Sequence, residues 1–133
     1  MAHKRQCTTA IRNIKEIWME SLKKIEAACR RFEEAAIKHA EATETGNYAQ
    51  ANKSYQVIAK SARYLKESNS LKHLSKLLDS ESVGVRMWTA TYLLPIFERN
   101  AMQILQSIAS GNNIHSLTAK MTIDEWEKGT LIL

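Results

Sequence analysis

Apolar residues recur along this chain at steps of three and four, in segments divided by short polar or glycine-bearing breaks. Ile11, Ile14, Trp18, Leu22, Ile25, Cys29, Phe32 and Ala36 form the first such run, which predicts a long amphipathic helix over about residues 9–43. Three arrangements fit a run of that length. It can be one helix whose first half packs on another chain, two helices broken near Met19 and Ser21, or a compact domain from Met19 with a less ordered extension ahead of it. The heptad-like steps admit a coiled-coil contact, but the run is short and Ala-rich, which favours packing onto its own domain. The expected division is an N-terminal helical extension over residues 1–20 and one domain over 21–133.

Gly46 and Asn47 supply a helix stop followed by an N-cap. Tyr48, Ala51, Tyr55, Ile58, Ala62 and Leu65 then mark the buried stripe of a second helix, to about Glu67, with Lys53, Lys60 and Tyr64 on its opposite side. So short a connection makes the first two helices an antiparallel hairpin. After Ser68–Ser70, a helix through Leu71, Leu74, Leu77 and Leu78 breaks at Asp79–Ser82. A further helix follows through Val85, Trp88, Thr89, Tyr92 and Leu93, and Pro95 stops or kinks it at Leu94. Phe97, Ala101, Ile104, Leu105 and Ile108 give another helix, closed by Gly111. Thr122 and Glu125 read as the capping box of a short last helix to about Lys128, stopped by Gly129, with Ser116–Lys120 ahead of it as a loop. The expected fold is all-α, built of about three stacked antiparallel helical hairpins.

Composition agrees with this pattern. Four Gly and one Pro in 133 residues disfavour a strand-and-turn architecture, and no segment has the apolar length of a membrane span or a secretory signal, so the expected compartment is the cytoplasm. The net charge of +5 is unevenly placed. Residues 1–66 hold thirteen basic and seven acidic side chains, and residues 67–133 hold six and seven. Such an excess can attract nucleic acid through Lys23, Lys24, Arg30, Arg31, Lys53, Lys60 and Arg63, although a solvated lysine-rich face explains it as well.

Candidate chemistry is sparse. Cys7 and Cys29 are too few for a disulfide framework, with Cys29 expected as a buried thiol and Cys7 as exposed. His3, His39, His73 and His115 have no metal-ligand spacing, so no metal and no cofactor is implied. His39 is expected partly buried and His73 in solvent. No GxSxG, GxxxxGK[ST] or GxGxxG motif occurs, and no carboxylate pair shares a helix face with a nucleophile, so no enzymatic activity is expected. Trp18, Trp88 and Trp126 at helical spacing read chiefly as core.

The segment Leu77, Leu78, Asp79, a short polar turn, then Val85, Arg86, Thr89 and Leu93 resembles a HEAT repeat. The resemblance implies a right-handed solenoid of stacked hairpins, with Asp79 and Arg86 satisfying local partners, which together with Pro95 are structural positions. DNA glycosylases of HEAT-like build use aromatic side chains on the face that Trp88 occupies, but their catalytic Asp has no counterpart here.

From Phe32 to Gly129 the chain is similar to a bacterial family of small HEAT-like proteins without an assigned activity. The shared stretches are FEEAAIKHAEATETGNYAQANKSY, LLDSESVGVRMWTA, the helix from Arg99 to Ser110, and MTIDEWEKG. Some proteins of this kind act as immunity proteins of contact-dependent or polymorphic toxin systems, which implies a protein partner and toxin neutralisation by occlusion of an active site. The +5 charge departs from the acidic surfaces that nuclease immunity proteins often use. Such a role therefore requires locally grouped acidic side chains or a toxin that is not strongly basic. The expected partner-binding residues are Lys53, Lys60, Tyr64 and Trp88, an aromatic and basic mixture typical of interface hot spots. Nucleic-acid binding through the basic half is the alternative.

Overall fold

The computed structural model describes residues 2–133, with side chains described from residue 13 onward. The expectations for His3 and Cys7 fall outside those side chains. Among the described residues the fold is entirely helical, without strands. Helix α1 spans Ala2–Thr45, α2 Tyr48–Glu67, a 3-10 helix Leu71–Asp79, α3 Val83–Leu93, α4 Glu98–Ala109 and α5 Ser116–Lys128.

The first helix is a single uninterrupted element of 44 residues. Among its described side chains, those that meet the core lie in its second half, where Ala28, Cys29, Phe32, Ala35, Ala36 and Ala40 are buried. Residues 13–24 are exposed without exception, so Trp18 is not a core residue as its helical spacing suggested, and this stretch does not pack onto its own domain, the arrangement favoured among the three.

At Gly46 the backbone takes the left-handed conformation (φ 74°), and the Gln50 N–H donates to Asn47 Oδ1 at 3.1 Å, so the turn forms as its residues dictate. Helices α1 and α2 pack along each other. Ala51, Ile58, Ala62 and Leu65 are buried on α2, while Tyr48 and Tyr55, expected on the same stripe, stay exposed at its edge. The segment from Leu71 winds as a 3-10 helix, burying Leu74 and Leu77 against α3.

Helix α3 is the centre of the molecule. It contacts α1, the 3-10 helix and α4, and between Gly84 and Leu93 only Arg86 and Trp88 escape full burial. Its start is capped by Ser82, whose Oγ accepts from the Val85 N–H at 3.3 Å. Arg86 Nη1 donates to the Ser80 carbonyl at 2.6 Å, bracing the turn before it, while Asp79 remains exposed. Pro95 ends the helix as expected, with Leu94 as its C-cap. Gly84 lies against α1, where a Cβ would come within 2.5 Å of the Ala40 Cβ.

Helix α5 begins six residues before the expected capping box. Thr122 sits inside it, and its Oγ1 donates to the Thr118 carbonyl at 2.9 Å, a back-bond rather than a cap. The helix follows His115, whose N–H donates to Asn113 Oδ1 at 2.8 Å, and it ends at Gly129 in the left-handed conformation. Leu131 and Leu133 then dock on the core.

Candidate functional site

Lys53, Val57, Lys60 and Tyr64 follow one another on α2 at steps of four, three and four, so they line a single outward face of that helix. All four are exposed, with Val57 and Tyr64 each keeping about two fifths of their surface (42% and 38%). Sequence reasoning singled out the two lysines and the tyrosine but missed Val57, which the same spacing would have found. Lys53 also borders a shallow groove of about 150 Å³ between α1 and α2, shared with Arg31, Glu34 and Lys38.

Trp88 belongs to a different neighbourhood. Its ring stacks on Tyr92 (centroids 6.4 Å), leans on Tyr55 (5.5 Å) and meets His39 edge-on (5.1 Å, 87°). Its indole Nε1–H donates to His39 Nδ1 at 3.3 Å. An indole nitrogen can only donate, so His39 Nδ1 carries no proton in this arrangement. The structure therefore ties Trp88 to α1 and α2 as a half-buried bridge and does not join it to the Lys53–Tyr64 face. Burial pushes the Tyr92 phenol up to about 12, with Tyr55 adding to this and Arg63 opposing it. Arg31 and Lys53 line the groove, while Arg63 lies near enough to Tyr92 to oppose that rise.

Burial, with a smaller contribution from the charge of His115, holds His39 below its ordinary value of 6.5. A histidine kept neutral on folding takes up a proton more readily in the unfolded chain. Its contribution to stability is full above about pH 6.5 and is lost as pH falls from there through the lower folded value. The urea midpoint of the native chain is expected to fall between about pH 7.5 and about pH 5.5 by more than that of a His39→Phe variant. Equal falls in the two proteins would remove His39 from the account.

Between α1 and the 3-10 helix lies a polar depression of about 250 Å³ bordered by Glu26, Cys29, Arg30, Glu33, Lys76 and Leu77. Burial pushes the Cys29 thiol up; Lys76 opposes this and Glu26 adds to it. A thiol held protonated is a poor nucleophile. Both depressions fall short of the roughly 300–1,000 Å³ usual for small-molecule sites. Among the described residues no three His, Cys, Asp or Glu side chains gather as a metal site, and no helix is long and apolar enough to cross a membrane. His115 is buried and its Nε2 lies 3.3 Å from Glu44 Oε1, tying the start of α5 to the end of α1. Trp126 Nε1–H donates to Glu98 Oε2 at 3.1 Å, and His73 is exposed.

No protein-family model matches the chain, and no curated protein matches it. Among solved structures, the crystal structure of the protein RPA1889 from Rhodopseudomonas palustris CGA009 is similar in fold. It has a TM-score of 0.73 at 20% sequence identity, over 82% of this chain and 93% of that one.

Proposed function

We propose that this chain is a protein-binding module made of helical hairpins stacked in the HEAT-repeat manner, and most concretely an immunity protein that neutralises a bacterial toxin by covering its active site. The observation that carries the reading is the outward face of α2, where Lys53, Val57, Lys60 and Tyr64 present a mixed apolar and basic stripe to solvent. Aromatic and basic side chains on a rigid helix are what interface hot spots are made of. The packing of each element on its neighbours in the chain supports the stacked-hairpin reading. The small depressions, the protonated Cys29 thiol and the exposed helical surfaces support a binder that works by occlusion rather than a catalyst.

Affinity capture from the native lysate, with and without nuclease and at low and moderate salt, tests this. A stoichiometric protein that survives both treatments is expected, and a Lys53→Glu/Lys60→Glu/Tyr64→Ala variant is expected to bind it more than about tenfold more weakly. Unchanged affinity in that variant would remove the α2 face from the interface. Recovery of nucleic acid that leaves steeply with salt would replace the reading with one of phosphate contacts, since each neutralised phosphate releases counterions.

A further inference from the structure

The edge of the core where α1, α2 and α3 meet holds a polar contact whose protons can be placed in one way. Trp88 of α3 donates its Nε1–H to His39 Nδ1 of α1 at 3.3 Å, and Thr43 Oγ1, one turn further along α1, lies 3.5 Å from the same nitrogen. That nitrogen has a single lone pair and the indole can only donate, so the lone pair is committed to Trp88 and the ring carries its proton on Nε2. The Thr43 hydroxyl, by contrast, can donate or accept. All three residues are half-buried, and among the described residues the Trp88–His39 bond is the one side-chain hydrogen bond that ties the α1–α2 hairpin to α3.

From this geometry we infer that His39 is a proton-operated clasp, which holds Trp88 to α1 while the imidazole is neutral and exchanges it for Thr43 when Nδ1 takes up a proton. The proton turns Nδ1 from acceptor into donor, so two N–H groups point at each other across 3.3 Å and part. Thr43 Oγ1 then accepts from Nδ1–H without leaving α1, whereas the freed indole N–H turns to water at the half-exposed edge. The groups around the ring leave Thr43 as the acceptor on offer. Tyr55 of α2 and Tyr92 of α3 lie against the indole, and His115, ahead of α5, has its Nε2 on Glu44 of α1. Of the charged groups, His115 acts on His39 and opposes the uptake. Among the described residues no carboxylate stands within ion-pair distance of His39. What the clasp releases is the hairpin that carries the Lys53–Tyr64 face.

Nuclear magnetic resonance of the histidine rings and indoles in the native chain, from about pH 7.5 to about pH 4.5, tests this. At the upper end His39 is expected as the Nε2–H tautomer, with an Overhauser contact between Trp88 Hε1 and its ring. That contact is expected to vanish with the midpoint of the His39 titration while the helical circular dichroism stays constant. Trp88→Phe removes the donor that holds the ring neutral and is expected to raise that midpoint by about half a pH unit; Thr43→Val removes the acceptor of the imidazolium and is expected to lower it by about as much. Thr43→Ser, which keeps the hydroxyl, is expected to leave it in place. An Nδ1–H tautomer at the upper end, a Trp88 contact that persists in the imidazolium form or is lost only as the helices melt, or midpoints that move the same way in Trp88→Phe and Thr43→Val overturn the inference.

Discussion

Replacing Phe32 with Ala is expected to cost about 3–5 kcal/mol of folding stability, the range for deleting a fully buried aromatic side chain. Phe32 is wholly inaccessible to solvent and meets Tyr92 of α3 edge-to-face, with ring centroids 5.8 Å apart at 80°. It is the point at which α1 is keyed to α3. Small neighbours on its own helix, Ala28, Ala35 and Ala36, leave no long side chain able to swing into the space it would vacate. Urea unfolding checks this, and a loss below about 1 kcal/mol would mean that α1 and α3 do not pack as described.

Gly84→Ala carries the second large effect, and its sign is the informative part. In an exposed helix this change would stabilise by about 1 kcal/mol through helix propensity. Here the new methyl group would stand 2.5 Å from the Ala40 Cβ, with the α1 backbone 3.6 Å away and no flexible side chain to yield. Overpacking of that kind costs about 1–3 kcal/mol, so a net loss is expected. Adding Ala40→Gly removes the opposing methyl and should recover most of the loss, making the pair strongly non-additive in a double-mutant cycle. Additive losses would show that the α1–α3 approach is not set by these two positions.

Where large apolar side chains supply the burial, helix positions were legible in the residues. The α1–α2 turn at Gly46 and Asn47, the end of α3 at Pro95 and the stop at Gly129 all follow from local backbone chemistry. The start of α5 did not, because its buried face is Ser116, Ala119 and Thr122, small residues that leave no trace in apolar periodicity, while its large side chains Leu117 and Met121 face outward. The 3-10 helix had a visible sign that a helical reading passes over. Leu71, Leu74 and Leu77 repeat every three residues, the period at which side chains eclipse in that geometry. Trp18 misled for the opposite reason, since a stripe shows which face is apolar and not whether anything lies against it.

Of the candidate binding residues, Lys53, Lys60 and Tyr64 share a face because helical spacing alone decides it. The position of Trp88 depended on His39 and Tyr55, forty-nine and thirty-three residues away in the chain, and no local pattern carries that information.

The long first helix divides the pressures acting on the sequence. In α3 almost any substitution disturbs folding and binding together, so the tolerance of a site there says little about which of the two was lost. Residues 13–24 support nothing in the fold of a single chain. They are free to drift as far as folding is concerned, and any intolerance found among them in a saturation screen reports selection for something other than the fold.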